Sequence, residues 1–165
     1  MLYKILSNID HVVRFDRAKA HCDIPCAIYD PISAQLAGIT MLRMVDLITE
    51  MRDGGADDAT KQHAISRFVT SKEEHGVKCK AEVATIWGDY FKPPHFERFP
   101  ELHGLSHEIA MLASQCKQSV DRDKTLLLID RLNAFAEIFW TSKEVSTKRA
   151  VCPYPPAVEL VYPEL

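Results

Sequence analysis

Glycine is scarce, at 6 residues in a chain of 165, and the evenly spaced turn signals of an all-β fold are missing. No uninterrupted apolar run approaches the ~20 residues of a membrane-spanning helix, so no transmembrane segment is expected. Neither sign of charge dominates. The net charge is −3, which leaves no basic footprint for nucleic acid. Cysteine occurs five times, an odd number that argues against a scaffold of paired disulfides. Reduced thiols in a cytoplasmic setting, or thiols reserved for a metal, fit better. The remaining composition, 47% hydrophobic and 26% charged, is that of an ordinary globular chain. Its length corresponds to about one domain.

Four stretches place apolar residues at helical spacing. Asp30-Pro31 opens the first, with Asp suited to the N-cap and Pro to the first helical position; Ile32, Leu36, Ile39, Val45 and Ile48 carry it to Asp53-Gly54-Gly55. The second runs from about Asp57 to Tyr90, with Gly76 as a weak point. Lys92-Pro93-Pro94 reads as the start of a loop lasting to Pro100. Leu102, Leu105, Ile109, Leu112 and Cys116 form the third stripe, and Leu126, Ile129, Leu132, Phe135 and Phe139 the fourth. The expectation is an all-α, antiparallel up-down-up-down four-helix bundle over residues 31–148, with no second core. Residues 149–165, with four prolines, read as a tail extended over the surface.

Residues 1–20 are a separate case. Lys4, Asn8, Asp10 and His11 break the apolar core that an export signal needs. Leu2, Ile5, Leu6, Ile9 and Val13 instead recur at helical spacing, and Ala18-Lys19-Ala20 has the small-x-small form that signal-peptidase-like enzymes cut. The segment reads either as the first helix of the domain or as a pro-segment removed by a protease. It carries Lys4, Arg14, Arg17 and Lys19 against Asp10 and Asp16, a net +2, so its removal takes the chain from −3 to −5.

Residues 21–30 read as a turn, a candidate metal-binding hook, whose side chains carry chemistry. In His21-Cys22-Asp23-Ile24-Pro25-Cys26, Pro25 disfavours helix through Ile24, and a turn there brings two sulfurs to one point. A cut after Ala20 gives His21 a free amine beside its imidazole. Cys22 then offers a thiolate and a deprotonated amide nitrogen, and Cys26 a second thiolate. Two nitrogens and two sulfurs in a plane, with the imidazole available axially, suit Ni(II) or Cu(II), whereas zinc prefers a tetrahedron. Thiolates reduce Cu(II), which favours nickel. The same spacing also fits two surface thiols or a small-loop disulfide.

The run from His21 to Pro31 resembles the nickel-containing superoxide dismutases, whose mature N-terminus reads His-Cys-x-x-Pro-Cys-Gly-x-Tyr-Asp-Pro; Ala27 stands here in place of the glycine. A second block, Trp87-Gly88-Asp89-Tyr90-Phe91-Lys92-Pro93-Pro94-His95-Phe96-Glu97 with Pro100-Glu101-Leu102-His103, is similar to that family as well, as is Ile138-Phe139-Trp140. The resemblance implies removal of residues 1–20, a homohexamer, and superoxide as substrate. It implies one nickel ion per subunit, held by His21, Cys22 and Cys26, a cis bond at Ile24–Pro25, and roles for Asp23, Tyr29, Tyr90 and Lys92 around a substrate channel. Two positions depart from the pattern: Ala37 stands where the family has a glutamate bonded to the axial imidazole, and His75 where it has a supporting arginine.

Thiolate and amidate donors raise the electron density that a nickel redox couple needs, while superoxide, an anion, requires a local cation. Lys92 is the candidate for that cation, or else a solvated loop charge. Tyr29 and Tyr90 are candidates for a gate and a proton source, or else tyrosines packing a loop. Cys79 and Cys116 fall on apolar stripes and read as buried thiols; His103 and His107, at i and i+4, read as surface residues. The competing functional reading is a nickel- or copper-binding helical protein without turnover.

Overall fold

The computed structural model describes residues 27–165. Asp30 opens the first helix by accepting the Ile32 N–H on Oδ1 at 2.8 Å, as the Asp-Pro pair suggests. Helix α1 then spans Ile32–Asp53. By length and composition it is apolar enough to cross a membrane, with a mean hydropathy of 1.2 over its best stretch, and half of that stretch is buried inside the protein. Asp57 caps α2, Asp58–Thr85, by accepting the Thr60 N–H at 3.0 Å. A single π-helical turn, Ile86–Tyr90, continues α2.

The expected loop after Lys92 instead contains a short helix α3, Pro93–Arg98. Proline is tolerated in a first helical turn, where its missing N–H would have had no intrahelical partner. Helices α4, Leu102–Gln118, and α5, Arg122–Ser142, complete the set. The four long helices form an antiparallel bundle in which α1 packs on α2 and α5, and α4 on α2 and α5. Met41, Cys79, Ile109, Leu132 and Phe135 lie in its main apolar cluster.

Gly76 does not interrupt α2. A Cβ there would meet the Lys117 side chain and come within 3.1 Å of Met41 Cε, so glycine lets three chain segments approach closely. One turn earlier, Lys72 is 2% exposed. Its ammonium donates to the carbonyls of Cys116 at 2.7 Å, Ser119 at 2.9 Å and Lys117. These are carbonyls at the end of α4 that lack helical partners. Burial pushes the Lys72 pKa down.

The C-terminal region departs from the expected surface tail. Thr147–Val151 (β1) and Glu159–Pro163 (β2) pair as an antiparallel hairpin, with Ala150 opposite Leu160. Cys152 and Leu160 are buried with Ile39, Leu42 and Ile129 in a second apolar cluster, which corrects the expectation of a single core. Asn133 on α5 holds β2 by accepting the Val161 N–H at 3.1 Å and donating to the Glu159 carbonyl at 3.0 Å. Gln35 on α1 joins by donating to Asn133 Oδ1 at 2.9 Å. Pro153, Pro155 and Pro156 all fall between the strands, where no ladder hydrogen bond is required of them.

Candidate metal centre and its surroundings

His21, Cys22, Asp23 and Cys26, together with the Ile24–Pro25 bond, lie outside the described residues. Among the described residues, no group of three or more His, Cys, Asp or Glu side chains is placed to hold a metal ion. The donor chemistry assigned to the hook therefore has no rival in the bundle as described.

The described chain begins at Ala27, with φ at 53°. This left-handed conformation brings Cβ against the carbonyl and costs an L-residue about 1–2 kcal/mol. A glycine would avoid that cost, so the one departure within the hook motif falls at a backbone position that favours glycine.

Two residues further on, Tyr29 is half-buried and its ring centroid lies 5.7 Å from that of Tyr90. The two sequence motifs, separated by more than a third of the chain, meet here. The π-helical turn brings Tyr90 to this point, closed by the Phe91 N–H donating to the Ile86 carbonyl at 3.2 Å. Such insertions recur at functional sites because they re-aim side chains. Tyr90 stacks on His95 at 5.5 Å and packs against Phe139 at 4.7 Å.

The Tyr90 hydroxyl lies 2.8 Å from Ser142 Oγ. Ser142 already donates its single proton to the Phe139 carbonyl at 2.6 Å, so its oxygen accepts from Tyr90. The Tyr90 lone pairs remain available to accept a proton. Above the ring, Lys143 Nζ lies 4.8 Å from the Tyr90 centroid and 5.2 Å from that of Phe139, the geometry of a cation–π contact.

Lys92 is exposed and begins α3. Its N–H donates to His95 Nδ1 at 2.9 Å, which makes Nδ1 the acceptor and puts the ring proton on Nε2 when His95 is neutral. Tyr29, Tyr90 and Lys92 thus share one end of the bundle. His95, Ser142 and Lys143 belong to the same neighbourhood and were missed from sequence, because no spacing rule links Tyr90 to a serine 52 residues away.

The departures have clear surroundings. Ala37 is 1% exposed within the main apolar cluster and has no polar atom to orient an imidazole. His75 Nδ1 lies 2.7 Å from the Ser71 carbonyl and donates to it, so that nitrogen is already engaged. Cys79 and Cys116 are buried thiols, as expected. Burial pushes the Cys79 pKa up to about 12 and also raises that of Cys116. Thiols that keep their protons are poor metal ligands and poor targets for oxidation. His103 is exposed yet engaged: its Nδ1 accepts from Trp87 Nε1 at 3.1 Å, and its ring stacks on Phe96 at 4.0 Å.

Comparison with known proteins places this geometry. The profile of the nickel-containing superoxide dismutases matches residues 16–143. A curated relative, the nickel superoxide dismutase of Streptomyces coelicolor, is 35% identical over 125 residues, covering 76% of this chain and 89% of the relative. That of Streptomyces seoulensis is 34% identical over 128 residues, covering 78% and 92%. A native nickel superoxide dismutase structure superposes with a TM-score of 0.66 at 33% identity, covering 74% of this chain and 99% of the other. The apo form of a nickel superoxide dismutase gives 0.64 at 30% identity, covering 72% and 99%. The C-terminal hairpin lies beyond the end of the matched span.

Proposed function

The chain belongs to the nickel-containing superoxide dismutase family, and from that premise we propose which of its residues carry the reaction. The activity is the conversion of superoxide to dioxygen and hydrogen peroxide, with nickel as cofactor. The observation that carries the assignment is that the matched span, 16–143, contains the full donor set of the sequence motif. His21 would hold nickel through its amine and imidazole, Cys22 through its amide nitrogen and sulfur, and Cys26 through its sulfur. These soft and anionic donors suit nickel in a tetragonal field. When bound, nickel supplies a one-electron couple between its divalent and trivalent forms.

The chain's own residues do the rest. Lys143 and Lys92 supply positive charge at the Tyr90 end of an otherwise acidic protein, drawing in the superoxide anion. Tyr29 and Tyr90 restrict access to the hook, which protects the thiolates from the peroxide product. The Tyr90 hydroxyl, with its proton directed at Ser142, orders the water that delivers protons as peroxide forms. Asp23, next to Cys22, acts within the same channel. Removal of residues 1–20 by a protease cutting after Ala20 creates the amine of His21. A homohexamer and a cytoplasmic location complete the reading; the free state of Cys79, Cys116 and Cys152 supports a reducing compartment.

The test is a chain beginning at His21 and loaded with nickel, assayed for dismutation by stopped-flow absorbance. Activity well above that of free nickel is expected, and Cys22→Ser should lose bound nickel and turnover together. Stoichiometric nickel without turnover would instead establish a binding protein.

A further inference from the structure

Among the described residues, an open apolar groove runs between α2 and α4. Val83, Ala84 and Trp87 on one side and His103, His107 and Ala110 on the other line a cavity of about 210 Å³. Along the same helical stripes, Val77 is 56% exposed, Met111 49% and Trp87 37%. Two of the other lateral faces differ. The hairpin fills the α1–α5 groove, and the α4–α5 cleft is edged by charge, with Arg131 paired to Glu108 at 2.9 Å.

The chain itself contains a segment of the right length and pattern to cover the groove. The described chain starts beside Tyr90, at the end of α2 where Trp87 opens the groove, and 26 residues precede that point. Leu2, Ile5, Leu6, Ile9 and Val13 follow the i, i+3, i+4, i+7 anchor spacing of a helix laid in a groove. A helix from Leu2 to Val13 would be about 18 Å long, enough to overlie the cavity wall from Lys80 to Trp87, about 11 Å at ~1.5 Å per residue. Residues 14–26 span at most about 43 Å when extended, enough to bring the segment back along α2.

We propose that in the uncut chain residues 2–13 dock as an amphipathic helix in the α2–α4 groove, and that cutting after Ala20 frees this groove together with the new N-terminus. The inference rests on reading residues 1–20 as a removable segment.

Hydroxyl-radical footprinting read by mass spectrometry tests it, on the full chain and on a chain beginning at His21, both without nickel. Trp87 and Met111 should be labelled severalfold less in the full chain, and this protection should survive dilution. The full chain carrying Leu6→Glu and Ile9→Glu, two changes outside the bundle, should label like the trimmed chain. Equal labelling of full and trimmed chains overturns the proposal. Protection that fades on dilution also overturns it, by making a second copy the occupant. Groove protection in a chain that proves inactive after trimming and nickel loading would sink the enzymatic assignment and leave docking intact.

Discussion

Tyr90 donates its hydroxyl proton to Ser142, 2.8 Å away, because Ser142 has already committed its own proton to the Phe139 carbonyl. One back-bond at the end of α5 thus sets which way a tyrosine on the far side of the sequence points.

Ser142→Ala removes that acceptor. The Tyr90 hydroxyl is then free to rotate, and stability should fall by about 1 kcal/mol, as for one lost hydrogen bond. Dismutation should slow most at high superoxide concentration, where proton delivery limits the cycle. Ser142→Thr should restore both. Denaturant melts alongside stopped-flow rates over a range of substrate concentrations provide the check, and wild-type rates in Ser142→Ala would refute the proton role of Tyr90.

Lys143→Met keeps a long side chain over Tyr90 and removes its charge. The second-order rate constant should fall up to about tenfold at low salt. Because exposed charges are screened over ~10 Å at 0.1 M salt, the gap from wild type should close as ionic strength rises. Rates measured from low to high salt decide this, and parallel salt curves would assign Lys143 a packing role only.

Ala27→Gly relieves the left-handed strain at φ 53°. The gain is about 1 kcal/mol, because the freedom that glycine adds to the unfolded chain offsets part of the relief. Thermal melts of the trimmed protein should shift upward, with nickel affinity unchanged or higher. A lower melting temperature would mean that this backbone conformation is not populated.

Cys79 provides an alkaline signature. Its folded pKa is raised from 9.0 to about 12 by burial, so above pH 9 the unfolded chain releases a proton that the folded chain keeps. Stability from this group is complete below pH 9 and declines as pH rises toward 12, by ~1.4 kcal/mol per pH unit. Denaturant unfolding across that range should show the decline, and Cys79→Ala should flatten it relative to its own value at pH 8.

The donor set proposed here could be read from sequence because it is contiguous. His21, Cys22 and Cys26 fall within six residues, so the chemistry of the set can be read without knowing the fold. Tyr29, Tyr90 and Lys92 were legible only through their motifs; the residues that support Tyr90 were not. The hairpin was hidden by composition, since three prolines in the turn and Pro163 at the end of β2 colour the whole segment, while the rest of both strands carries ordinary pairing residues.

By itself the amino-acid order determined the four amphipathic helices and singled out His21, Cys22 and Cys26 as the proposed metal donors, because helical period and ligand type are recorded within a few neighbouring residues. Tertiary structure alone decided that Ser142 meets Tyr90, that Lys143 lies over its ring, and that Asn133 holds the hairpin. Those pairings depend on how far one packed helix slides and rotates against another, a quantity set by the sum of all contacts across the core and carried by no local spacing.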